Sequence, residues 1–238
     1  MISAPRFSPY TVLDLPLYSG LLNGSQFMSR DHYGHRCTVT GALWTPQGRV
    51  FDGDDYIEAG ANASLVTLAQ GTIMGWIKTT VNPNDNFTNI IFGVHDSGDS
   101  VSFAEFSVHR RAGDGAGLRL IWGMYEDGTN KVEGYTGLVM SLDVWYHVAL
   151  VVSATGNTLY VDGAAQGATY TVGSAASALF FSTVTAVDNS SIGASKRSDA
   201  YAANRYFRGT INELLVLGRG LLRPEIQNHR LATKWRYR

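Results

Sequence analysis

The chain has very little cysteine, little proline and little charge. Cys37 is the one cysteine among 238 residues, so no internal disulfide braces the fold. Proline occurs 6 times, whereas glycine occurs 26 times, so tight turns are expected to rest on glycine's access to positive φ. Charged residues make up 16% and hydrophobic ones 45%, a balance that excludes a disordered or highly charged chain and supports a substantial core. No run approaches the roughly 18 uninterrupted apolar residues of a membrane-spanning helix. Met1 to Tyr10 lacks the basic, apolar, small-residue series of a signal or transit peptide, and reads as a chain not exported by that route. Four Asn-x-Ser/Thr sequons, at Asn23, Asn62, Asn86 and Asn189, are accordingly read as chance. Also absent are a Gly-x-Ser-x-Gly elbow, a His-Glu-x-x-His pair, a Cys-x-x-Cys pair and a Gly-x-x-x-x-Gly-Lys loop. These absences remove the commonest hydrolase, zinc and nucleotide chemistries.

What is present is a succession of short alternating segments. In Trp145 to Val152, His147, Ala149 and Val151 alternate with Val148, Leu150 and Val152, so both faces are apolar, as in a strand inside a sandwich. Ala154 to Asn157 makes a turn, Thr158 to Val161 a second strand, and Asp162-Gly163 suits a type I′ hairpin. Further strands are expected at Val12–Leu17, Thr38–Thr40, Tyr56–Glu58, Thr72–Lys78, Asn89–Val94, Val101–His109, Leu118–Trp122, Ser190–Gly193 and Tyr206–Leu217. With no helix between them, a βαβ architecture is excluded. One short C-terminal helix is predicted, with Pro224 in its first turn and Ile226, Leu231 and Trp235 at near-helical spacing. His147 reads as a hydrogen-bonded core residue, and Gly53 and Gly209 as bends or close backbone approaches. No linker or repeat divides the chain, and residues 1–238 are expected to form a single domain.

Charge is unevenly distributed. From Ser195 onward there are ten Lys/Arg against three Asp/Glu, and before it nine against seventeen. A basic end on an acidic body can dock an acidic neighbour or simply be solvated; no nucleic-acid partner is expected.

Several phrases in sequence order, Thr38 to Trp44, Phe51 to Ile57, Gly75 to Lys78, Trp145 to Ala149, Leu159 to Gly163, Ser191 to Gly193 and Phe207 to Glu213, resemble the concanavalin A-like, laminin-G-like jelly-roll domains. The resemblance implies an all-β sandwich of two antiparallel sheets, one of them concave, with rim loops available for ligands. It also implies one structural calcium near Asp31, Asp52 and Asn212, although Asn212 replaces the usual Asp and removes a negative charge. Glycosidases of this fold carry Glu-x-Asp-x-x-Glu or Glu-x-Asp-x-Glu on one strand; neither spacing occurs here, so no enzyme is expected.

Sugar-binding candidates are Trp122 and Tyr125 beside Glu126-Asp127-Gly128, and Phe87 beside Asn84, Asp85 and Asn86. The Asn82 to Asn86 loop offers oxygen ligands for calcium or sugar hydroxyls, and its residues are also ordinary turn formers. Lys234, Trp235, Arg236 and Arg238 are candidates for docking a partner. Two functional readings follow. In the first, the chain is a non-catalytic surface or virion-associated assembly component, docking on copies of itself as a homo-oligomer or on a shell protein. The alternative is a calcium-assisted carbohydrate-binding lectin module.

Overall fold

A computed structural model describes residues 9–81, 88–99, 101–110, 117–197 and 200–237. Two large antiparallel sheets and one two-stranded sheet hold its nineteen described strands. The first sheet runs β14 (Ala164–Ala165), β13 (Gly156–Val161), β12 (Trp145–Ser153), β7 (Gly71–Thr79), β19 (Arg208–Leu217), β5 (Gly48–Asp52) and β4 (Leu43–Thr45), with β1 (Thr11–Leu15) also paired to β19. The second runs β15 (Ala168–Val172), β11 (Thr129–Thr136), β10 (Leu118–Glu126), β9 (Phe103–Arg110), β8 (Asn89–His95), β16 (Asn189–Ile192), β6 (Tyr56–Glu58), β3 (Arg36–Thr40) and β2 (Gln26–Met28). β17 (Ala194–Arg197) and β18 (Ala200–Tyr206) pair with each other. The result is the expected jelly-roll sandwich.

Strand alternation explains how the layers join. Val148, Leu150 and Val152 of β12 meet Ile73 and Ile77 of β7 and, from the other sheet, Phe106, Val108, Leu120 and Trp122 in one core. Burying each such side chain contributes roughly 1.5–3 kcal/mol. The opposite face of β12 is apolar for a different reason: Ala149 and Val151 join Met74, Leu215 and Ile226 in a second cluster beneath the C-terminal helix α2 (Arg223–Thr233). Between β13 and β14, Asp162 and Gly163 have φ of 52° and 73° and Val161 pairs with Ala164, so the two residues form the anticipated tight hairpin turn. Gly209 has φ 144°, and a Cβ there would lie 2.0 Å from the Lys78 carbonyl, so this close backbone crossing admits only glycine.

Some expectations need revision. A four-residue helix, α1 (Ala63–Val66), and three 3-10 turns accompany α2. Pro224 does open α2, but its buried face is Ile226, His229 and Thr233, whereas Leu231 is 51% and Trp235 61% exposed. The apolar spacing therefore misplaced the packed stripe, because polar His229 and Thr233 find buried partners. Strand β11, with Thr129, Asn130, Lys131 and Glu133, has too polar a sequence to have stood out.

Candidate functional site

The outer face of β9 and β10 lines a cavity that the β17–β18 hairpin partly covers. β9 presents Phe103, Glu105, Ser107 and His109 there, while β10 presents Ile121, Gly123 and Tyr125. These residues line a cavity of about 610 Å³. Its floor is Gly123, which lies opposite Glu105 on β9 and Glu133 on β11; a Cβ built on Gly123 would meet nothing within 4 Å. The middle of the trough is thus a patch of bare backbone between two carboxylates.

One wall is aromatic. The Tyr125 ring stacks on Phe103 with centroids 4.9 Å apart, and the Arg197 guanidinium covers Phe103 at 3.3 Å from its centroid. Such stacked cation–π contacts stiffen long side chains. Asn130 Nδ2 donates to the Tyr125 hydroxyl at 3.0 Å and to Glu133 Oε2 at 3.2 Å, fixing the polar rim on the β11 side.

The other wall is cationic. Arg197 of β17 and Arg205 of β18 reach over β8 to Glu105. Arg197 Nη2 donates to both Glu105 oxygens at 3.0 Å, Arg205 Nη1 lies 3.5 Å from Oε2, and Ser195 Oγ also donates to Glu105. His95 Nε2 stands 3.4 Å away. Burial alone would raise the Glu105 pKa, but Arg197, His95 and Arg205 outweigh it and hold the carboxyl well below the usual carboxylate range. Burial pulls Arg197 down from its ordinary value, with Glu105 opposing. Two guanidiniums around one carboxylate leave a net positive corner at the trough edge. The hairpin carrying them is anchored by the Tyr201 ring stacked on Tyr56 at 3.7 Å and by Tyr201 Oη donating to Glu58 at 2.8 Å.

Of the sugar candidates, Tyr125 lines this trough and Trp122 does not. Trp122 is 0% exposed, its ring 6.0 Å from Phe180 in the core. Three residues apart on a strand, the two side chains must point to opposite faces. Asn84, Asp85, Asn86 and Phe87 lie outside the described residues, as does Arg238. Sequence reasoning missed Arg197, Arg205, Glu105 and Glu133. The usable signal was the polar alternation Glu105, Ser107, His109 within an otherwise apolar strand.

The implied calcium ligands are not gathered together. Asp31 accepts from the amides of Asp14, Tyr33 and Gly34 at 2.9–3.1 Å, which makes it a loop cap. Asn212 is buried, donating to Gln47 O at 2.8 Å and accepting from the Tyr237 hydroxyl. Asp52 pairs with Arg208, four residues along β19 from Asn212, a separation of about 13 Å at strand rise. Asp52 instead lies with Asp54 and Asp55, whose carboxylate oxygens come within 4.8 Å of one another. That donor set suits a hard cation in chemistry. Hydrogen bonding and charge from Asp52 raise the Asp54 pKa, and chiefly burial raises that of Asp55.

The docking candidates at the C-terminal end divide as well. Arg236 turns inward, with Nη1 2.8 Å from Glu213 Oε2 and its guanidinium 4.2 Å from the Tyr18 ring centroid. Trp235 projects outward and Lys234 is half-buried. The ordering of this end is thus accounted for within the chain.

The two-layer jelly roll with a polar trough on one sheet is a concanavalin A-like fold. Residues 51–227 match the family model Laminin_G_3, described as the concanavalin A-like lectin/glucanases superfamily, and the chain belongs to that family. Among solved structures it is similar to the CBM40 module of Ruminococcus gnavus IT-sialidase bound to α2,3 sialyllactose, at 21% identity and TM-score 0.55, covering 68% of this chain and 83% of that one. It is also similar to Trypanosoma rangeli sialidase in complex with sialic acid, at 18% identity and TM-score 0.67, over 98% of this chain and 34% of that one. The leech intramolecular trans-sialidase matches at 23% identity and TM-score 0.53, over 74% of this chain and 26% of that one. The chain therefore spans 34% and 26% of the two latter proteins. These likenesses establish a shared fold. No curated protein sequence matches the chain.

Proposed function

We propose that the chain is a non-catalytic glycan-binding module whose trough takes a sugar bearing a carboxylate. The observation that carries this reading is the bare Gly123 floor, bounded by a Tyr125–Phe103 aromatic wall, the Glu133 rim and the Arg197/Arg205 corner. A pyranose needs a flat apolar surface for its ring and fixed acceptors and donors for its hydroxyls, and a carboxylate suits a guanidinium's fork. Hydrolysis would require a protonated carboxylic acid beside the glycosidic oxygen. Glu105, held ionised by Arg197, has no proton to give. Calcium has no role in the trough on this reading, so binding is expected to persist in chelator. The sialyllactose complex of the structurally similar R. gnavus module supports the choice of probe. The virion and assembly reading gains no support from the comparisons, and Arg236 is engaged within its own chain.

Isothermal titration with 3′-sialyllactose and with lactose tests the proposal. The wild type is expected to bind only the former. Arg205→Ala should weaken it roughly ten- to hundredfold, the range of a charged hydrogen bond, and Gly123→Trp should abolish it by filling the floor. Equal binding of lactose, or an unaffected Gly123→Trp protein, overturns the reading.

A further inference from the structure

The loop joining β11 to β12, residues 137–144, exposes four aliphatic side chains within seven positions: Leu138 at 40%, Val139 at 50%, Leu142 at 38% and Val144 at 43%. The loop is held in place. Met140 is buried and its amide donates to Leu118 O at 2.7 Å, Ser141 N donates to the Tyr146 hydroxyl at 3.0 Å, and Asp143 N donates to Thr79 O at 2.8 Å. Packing therefore fixes the backbone while leaving the aliphatic groups in water, an arrangement that folding alone does not call for.

This loop is tied to the strand that floors the trough. Arg119 lies on the open face of β10, two residues before Ile121, and its Nη1 donates to the carbonyls of Thr136 and Gly137, where the loop begins, at 2.9 and 2.8 Å. On the loop's other flank, Lys78 Nζ lies 5.3 Å from the ring centroid of Trp145, the residue after Val144. Two cations, Arg119 and Lys78, flank the loop, with Asp143 the loop's own acid. Exposed aliphatic side chains flanked by basic ones match a bilayer surface, with acyl chains beneath anionic headgroups.

We infer that residues 137–144 form a lipid-contacting loop that seats the trough on the headgroups of membrane-embedded acidic glycolipids. The ligand class, a glycolipid in place of a free oligosaccharide, rests on the glycan reading of the trough; the lipid contact itself does not.

The test uses phosphatidylcholine vesicles, with and without sialyllactosylceramide, in a flotation assay beside calorimetry with free 3′-sialyllactose. Wild-type protein is expected to float with the glycolipid vesicles. Val139→Asp/Leu142→Asp should cut the bound fraction by about tenfold or more, since half-exposed aliphatic burial is lost and acids face the headgroups, while leaving affinity for free sialyllactose unchanged. Co-flotation of the double variant equal to wild type, or no flotation of the wild type, overturns the inference. Loop-dependent flotation without any binding of free sialyllactose keeps the lipid contact and overturns the trough reading instead. Unchanged circular dichroism and melting of the double variant guard against simple misfolding.

Discussion

The outer faces of the two sheets begin from the same alternation and end as opposites. On the first sheet α2 lies over β12, β7 and β19 and seals them; on the second the β17–β18 hairpin covers Phe103 and Glu105 through Arg197 and Arg205 and leaves a cavity over Gly123. Under α2 buried polar groups face one another. His147 Nε2 is 3.0 Å from His229 Nδ1, His229 Nε2 is 3.4 Å from Glu213, and Glu213 is 2.8 Å from Arg236. One neutral arrangement suits these contacts: His147 donates from Nε2 to His229 Nδ1, and the His229 Nε2–H faces Glu213 Oε1. Trp76 Nε1 donates to Thr233 Oγ1 at 2.8 Å and closes the cluster. In the trough, by contrast, Glu105 and its arginines leave net charge at the rim of open space. The lesson is that polar residues on a strand's outer face acquire their meaning from what lies above them. With a cap they become structure; without one they become a surface for ligands.

The contrast can be broken most sharply at Glu213. Glu213→Ala strands Arg236 and His229 in a buried site and should cost about 3–5 kcal/mol in urea unfolding, whereas Glu133→Ala on the trough rim should cost under about 1 kcal/mol. Equal losses would show that the two faces are energetically alike.

Acid supplies the next largest effect. Burial, then the neighbouring His229 and Arg230, hold His147 well below its ordinary 6.5, and burial lowers His229 against the pull of Glu213. Their folded pKa values lie below the unfolded ones, so above about pH 6.5 neither histidine makes stability depend on pH. Below it the unfolded chain takes up protons that the fold refuses, and stability falls by up to about 1.4 kcal/mol per pH unit for each histidine. Chemical denaturation between pH 7.5 and pH 5.5 should show this slope, reduced in His147→Gln; an unchanged slope in that variant would dissociate the acid effect from the capped face.

Smaller effects are expected in the open. Gly123→Val, which meets empty space and gains strand propensity, should alter stability by less than about 1 kcal/mol while impairing sialyllactose binding. Trp235→Ser, at 61% exposure, should stay within about 0.5 kcal/mol.

Local features of the sequence read well. β12, the Asp162-Gly163 turn, the close approach at Gly209 and the helix start at Pro224 all follow from residue chemistry within a few positions. The trough was harder to read because its parts are distant in sequence: Arg197 meets Glu105 across 92 positions, and only strand pairing brings them together. Trp122 and Tyr125 appeared to be companions until strand parity separated them. Asp31 and Asn212 each bond to partners within the chain, and no sequence spacing reports that.

The β17–β18 hairpin has one more consequence. Both arginines of the trough ride on a ribbon that, among the described residues, forms ladder pairs with neither large sheet and is pinned by Tyr201, Lys196 and Glu58 and by the Thr88 amide donating to Asn204 O. Its length and side chains can therefore change without disturbing the register of the sandwich beneath. In a lineage of such proteins, the ribbon is the part that selection can rewrite to change the taste of the trough while inheriting the rest of the molecule intact.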